Sequence, residues 1–150
     1  MKKILFLFAL LSSSIIANAQ NKFDNDSNYV FAGEGGAYKF YVNINSIKKD
    51  YEGIKFWMGI YLFKNRMQER NKYVRAHRNK KYLNYLYSKD YIIMDTDGSK
   101  NKILAGTDYD YNEDLLDSSN FEYVSDWDYI IPGSIMEVVA NLVKNVNSDN

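Results

Sequence analysis

Alternation of apolar and polar side chains dominates the middle of the chain. Over residues 54–63, Ile54, Phe56, Met58, Ile60 and Leu62 fall on one side, with Lys55, Trp57, Gly59, Tyr61 and Phe63 on the other. That period of two predicts a β-strand. One side is wholly apolar and needs a cover; the other is aromatic and amphipathic, open to cover by a second subunit. Residues 37–43 alternate in the same way, Tyr38, Phe40 and Val42 against Lys39, Tyr41 and Asn43. A short strand is predicted before them, over residues 29–32. The intervening Gly33-Glu34-Gly35-Gly36 reads as a flexible turn, without the Lys-Ser/Thr of a phosphate loop or the spacing of a dinucleotide fingerprint. Residues 82–95 and 101–111 predict a hairpin around Asp97-Gly98. A two-residue type I′ turn there sets Ile92 opposite Ile103 and Tyr91 opposite Leu104. Residues 121–125 and 127–131 predict one more strand, bent at Asp126.

The period then changes. Ile135, Val138, Val139, Leu142 and Val146 recur at helical spacing, while Glu137, Asn141, Lys144 and Asn145 lie mostly elsewhere, so a helix is predicted over 135–146. Pro132, the only proline, marks where the preceding strand stops. Ser134 with Glu137 three residues later forms a capping box, in which the carboxylate reaches back to the cap amide. Together the elements predict an α+β class: an antiparallel sheet of about six strands with a C-terminal helix packed on one face. A single domain is expected over residues 29–147, with a tail at 148–150. The polar residues 20–28 read as a flexible leader.

The first nineteen residues do not belong to that pattern. Lys2 and Lys3 precede an apolar run over residues 4–11, and Ala17-Asn18-Ala19 matches an A-x-A cleavage site, so residues 1–19 read as a signal peptide. The run is far shorter than the roughly 20 residues that span a bilayer. The expected protein is therefore exported, periplasmic or secreted to the cell surface, with no integral membrane segment after cleavage. Cysteine is absent, which excludes a lipoprotein anchor, disulfides and thiolate metal sites. Without Lys2 and Lys3 the remaining 131 residues carry 17 basic and 19 acidic side chains. A net charge of −2 argues against bulk nucleic-acid binding. The 14 tyrosines admit two readings: a binding surface, or a tyrosine-tolerant sheet in a compositionally biased chain.

Charge concentrates in residues 64–81. Lys64, Arg66, Arg70, Lys72, Arg75, Arg78, Lys80 and Lys81 oppose only Glu69. Tyr73, His77 and Tyr82 are interleaved, and the segment suits either a long loop or a short helix with Met67 and Val74 on one side. These eight cations are the candidate ligand-binding residues, for sulfated or phosphorylated glycans or an acidic protein. The competing reading is a solvated loop balanced by the eight carboxylates of residues 108–128. Asp108-Tyr109-Asp110-Tyr111-Asn112 imitates a calcium loop, but Glu113 stands where glycine is needed and Ser119 where a bidentate Glu belongs. With His77 the only histidine, neither a histidine zinc cluster nor a buried triad is indicated. No carboxylate spacing singles out an acid and a base. No catalytic residue, metal or cofactor is expected, and Trp57 and Trp127 are expected to pack in or beside the core.

An ordered set of motifs resembles the surface-adhesin protein E family of exported bacterial proteins. Residues 40–47 (FYVNINSI) are similar to its early strand and turn, and Gly53-Ile54-Lys55-Phe56-Trp57 to the strand that follows. Residues 81–95 resemble its long strand ending in an acidic residue. Trp127, then Ile131-Pro132-Gly133-Ser134 and a helix reaching Glu137 and beyond, is the most specific match. The resemblance implies the same α+β fold and an adhesin-like, non-enzymatic binding role. It also implies a cysteine pair near residues 96 and 144, where this chain has Thr96 and Lys144. Closing such a loop would have contributed about 4 kcal/mol in the chain-entropy model, so the helix is expected to be held by packing. The expected function is an exported binding module for a protein or anionic glycan. The alternative is a periplasmic structural component that forms a homodimer through its tyrosine-rich sheet face.

Overall fold

The computed structural model describes residues 21–77, 79–123 and 125–148. Strands β1 (Tyr29–Gly35), β2 (Tyr38–Lys49), β3 (Ile54–Leu62), β4 (Tyr85–Met94), β5 (Lys100–Asp110) and β6 (Leu115–Asn120) pair in sequence order as an antiparallel meander. A two-residue β7 (Asp128–Tyr129) adds to the far end of β5. Helix α1 (Met67–Ala76) lies between β3 and β4, flanked by 3-10 turns Lys64–Arg66 and Lys80–Tyr82. Helix α2 (Ile135–Ser148) closes the fold against β1 and β2. The α+β architecture read from the alternation is the one observed.

The two faces of β3 are buried differently. On one side Ile54, Phe56 and Met58 join Val42, Ile92 and Met94 beneath Val139, Ala140 and Val143 of α2. On the other, Tyr61 joins Tyr41, Leu86 and Tyr87 around Phe23. Phe23 sits in a 3-10 turn, Lys22–Asn25, capped by the Asn21 side chain. Its ring lies 4.7 Å from Tyr29 and 5.3 Å from Tyr41. The segment expected to be a flexible leader thus plugs the second core, and the chain itself covers the face that suggested a subunit interface. Gly59 makes room for this plug, since a Cβ there would lie 2.6 Å from the Phe23 ring.

Helix α2 differs from its predicted stripe in rotation. Met136, Val139, Ala140 and Val143 face the sheet, while Val138 is 47 % exposed. The sheet surface meets the 139/140/143 line because small Ala140 lets the backbone approach. The cap is also displaced by one residue. Glu137 N–H donates to Ser134 Oγ at 3.3 Å, but the Glu137 carboxylate accepts from Gly133 N–H at 2.8 Å rather than from Ser134. Lys144 Nζ donates to the Asp97 carbonyl at 3.2 Å, so the hairpin turn and the helix end meet where the resemblance implied a cross-link.

Three further expectations are corrected. At the Asp97-Gly98 turn only Gly98 takes a positive φ, with Gly98 N–H donating to Asp95 O; Asp97 does not, so the turn is not type I′. Ile92 does face Ile103, but Tyr91 faces Ala105 and Leu104 is the extra residue of a β-bulge. Of the strand expected over 121–125, the described residues 121–123 and 125 form none. The last full strand is the polar β6, and Trp127, outside any strand, is 42 % exposed. Trp57 is half-buried and stacks on Tyr91 at 5.0 Å. Among the described residues no helix is long and apolar enough to cross a membrane. The signal peptide expected over residues 1–19 lies outside the described residues.

Candidate functional site

The bulge at Leu104 decides what the end of the sheet displays. Before it, Ile103 pairs with Ile92 on the face that α2 covers; beyond it Gly106 pairs with Asp90 and Asp108 with Ser88. A regular strand with Ile103 on that face would have placed residues 105, 107 and 109 there. The extra residue shifts the alternation and aims Gly106 and Asp108 to the side of Asp90, a re-aiming typical of bulges. On the next strand Asp117 pairs directly with Asp108. Three carboxylates from β4, β5 and β6 therefore gather at one end of the sheet, beyond the reach of α2.

These groups line a cavity of about 410 Å³, with Tyr82, Ser88, Gly106 and Phe121 among its other walls. Gly106 keeps the floor open: a Cβ there would stand 3.2 Å from Asp90 Oδ1 and 3.4 Å from the Phe121 ring. Asp108 and Tyr82 also border a second cavity of about 460 Å³, completed by Arg70, Tyr73, Val74 and His77. The two adjoining volumes share Tyr82 and Asp108 as walls, and together they are the cleft between the sheet and the arm of residues 64–82.

The arm is a short helix with one buried residue, Val74, and Met67 packed against the Phe23 cluster. Polar contacts hold the rest. Asn71 and Asn84 exchange hydrogen bonds: Asn71 Nδ2 donates to Asn84 Oδ1, and Asn84 N–H, in a left-handed turn, donates to Asn71 Oδ1 at 2.7 Å. Arg70 lies over the Tyr85 ring at 4.3 Å, and its Nη1 donates to the Tyr38 hydroxyl at 3.2 Å. Lys81 pairs with Asp117 at 2.6 Å, and the Tyr82 hydroxyl donates to the same carboxylate.

The eight predicted cations accordingly do not act together. Arg70 is half-buried and lines the second cavity, exposed Lys81 pairs with Asp117, and Arg66 pairs with Glu69 at 2.9 Å. Lys64, Lys72, Arg75 and Lys80 are exposed. Arg78 lies outside the described residues. Tyr73, 63 % exposed, stacks on His77 with ring centres 4.0 Å apart.

Electrostatics grade the three carboxylates. Burial, with the neighbouring Asp108 charge, pushes Asp90 up to about 6. Burial raises Asp108 as well, helped by Asp117 and opposed by Arg70 and Lys81. Asp117 is held below the usual range by its hydrogen bonds from Lys81 and Tyr82, and in return the Tyr82 phenol is pushed up to about 12. One carboxylate is thus fully compensated, and the other two are half-buried acceptors with less compensation. Among the described residues no group of three or more His, Cys, Asp or Glu is arranged to hold a metal.

This cleft escaped the sequence reading, in which residues 90, 108 and 117 show no common spacing. The available signal was the strand register together with the bulge. Pro132, Gly133, Ser134 and Glu137 lie at the start of α2, whereas Trp127 lines a separate cavity with Lys55, Ile93 and Lys102, and none of them borders the cleft. No family model, no curated protein and no solved structure matches the chain.

Proposed function

We propose that this protein is an exported, non-enzymatic binding module whose ligand occupies the cleft between the arm and the β4–β6 end of the sheet. The observation that carries the reading is the convergence of Arg70, Asp90 and Asp108 on that cleft from three separate elements. Half-buried, incompletely compensated polar groups around a cavity of this size suit a small polar ligand. Export rests on the pattern of residues 1–19. Kinship with the protein E family rests on the order of its motifs and is supported by the contact between Lys144 and Asp97. A screen of small polar compounds by thermal shift tests the reading. Stabilising compounds should lose their effect on Gly106→Val, which fills the floor; unchanged shifts in that variant argue against the cleft.

A second reading concerns the outer face of the arm. Exposed Lys64, Lys72, Arg75 and Lys80 suit an acidic protein or an anionic glycan. Retention on heparin resin that weakens with salt supports it; passage straight through at low salt excludes it.

A further inference from the structure

We infer that the cleft takes a zwitterionic small molecule of amino-acid type, its carboxylate on Arg70 and its ammonium on Asp108. The inference rests on the cleft being the ligand site and assigns the class of ligand. Arg70 and Asp108 line the same cavity of about 460 Å³, yet no ion pair joins them among the described residues, where pairing reaches to 4.0 Å. Each is fixed in place. Arg70 is stacked on Tyr85 and tethered to Tyr38, and Asp108 belongs to a paired strand.

Both have unused capacity. Arg70 is half-buried and lines the cavity; its Nε is shut off from solvent without an acceptor among the described residues, and a guanidinium carries five donors in a rigid fork suited to a carboxylate. Among the described residues no cation pairs directly with Asp108: Lys81 is bonded to Asp117 and Arg70 to the Tyr38 hydroxyl, and both act on Asp108 only across a gap. Opposite charges held apart across an accessible gap favour a molecule carrying both complements, because it compensates two half-buried groups at once. A purely anionic ligand would meet Asp108, and a purely cationic one would meet Arg70. Buried Val74 and the tilted Tyr73–His77 ring pair line the same cavity, so the side chain of the ligand is expected to be apolar or aromatic.

Amide NMR titration with leucine, N-acetyl-leucine and leucinamide tests the assignment. Free leucine should shift the Gly106, Asp108 and Tyr82 signals, with each blocked form about tenfold weaker, about 1.4 kcal/mol. Asp108→Asn should remove the preference for the free amine, and Arg70→Gln the preference for the free carboxylate. Blocked forms that bind as well as leucine overturn the inference. Putrescine and a neutral disaccharide serve as controls. If either shifts the cleft signals and leucine does not, the zwitterion assignment falls while the cleft stands as a ligand site. If no probe moves those signals, both fall.

Discussion

Asp108 and Asp117 stand directly opposite each other across the β5–β6 ladder. Like charges in that position ordinarily destabilise a sheet. Here the arm offsets the repulsion, with Lys81 and Tyr82 closing on Asp117 and Arg70 facing Asp108. The arm is therefore an electrostatic clasp on the acidic end of the sheet as much as a packed element. Replacing Asp117 with Ala should free the Lys80–Tyr82 turn, so that trypsin cuts the arm faster while the melting temperature of the sheet changes little. An unchanged cutting rate would mean that Asn71, Asn84 and Val74 alone hold the arm.

Asp90 makes stability depend on pH. Its folded value of about 6 lies above the ordinary 3.8, so the folded state binds the proton more tightly. Stability is then greatest below pH 4 as far as this group is concerned. It falls as pH rises from about 4 through 6, and the penalty is complete above 6. At about 1.4 kcal/mol per pH interval of displacement, the cost at neutral pH is about 3 kcal/mol. Asp90→Asn should stabilise the protein at pH 7.5 by up to that amount and flatten urea-derived stability between pH 5 and 7. A variant less stable than wild type at pH 7.5 would show that Asp90 has a partner worth more than its desolvation cost.

Phe23 is a core residue even though it precedes the first strand by several positions. Removing a fully buried aromatic costs about 3–5 kcal/mol, and Phe23→Ala should lower stability on that scale. Gly59→Ala should also destabilise, because its methyl group collides with the ring. In the double variant the clash is gone, so the two losses should not add. Chemical denaturation of the four proteins decides the matter, and additive losses would contradict the contact.

Ser134→Ala should cost about 1 kcal/mol through loss of the N-cap. Glu137→Gln should cost less, since its amide oxygen still accepts from Gly133. Thermal melts read both, and an unaltered melting temperature for Ser134→Ala would contradict the role of the cap.

The sheet was legible where burial is one-sided or complete. Residues 54–62 alternate because one face meets α2, and Ile92 joins the same core while its partner Ile103, 38 % exposed, borders the cleft. Strand β6 was not legible, since Leu115-Leu116-Asp117-Ser118-Ser119-Asn120 is a half-exposed edge whose side chains face water and the cleft. The aromatic residues of 121–131 imitated a long strand, whereas only Asp128–Tyr129 pairs with β5 and Phe121 lines the cleft. Phe23 was obscured by its polar neighbours: one buried ring in a polar segment has no period. The cleft itself depends on a single inserted residue, Leu104, whose effect on facing appears only once the register is known. Charge counting located the arm correctly but could not separate Arg70, which lines the cleft, and Lys81, bound to Asp117, from exposed Lys72 and Arg75, unpaired among the described residues.

The most direct test of the binding-module account maps amide chemical-shift changes on the whole protein during titration with a library of small polar molecules. The account predicts that responses cluster at Tyr82, Ser88, Asp90, Gly106 and Asp108 and vanish in Gly106→Val. Responses confined to the exposed cations Lys64, Lys72, Arg75 and Lys80, or none at the cleft for any molecule, would contradict it.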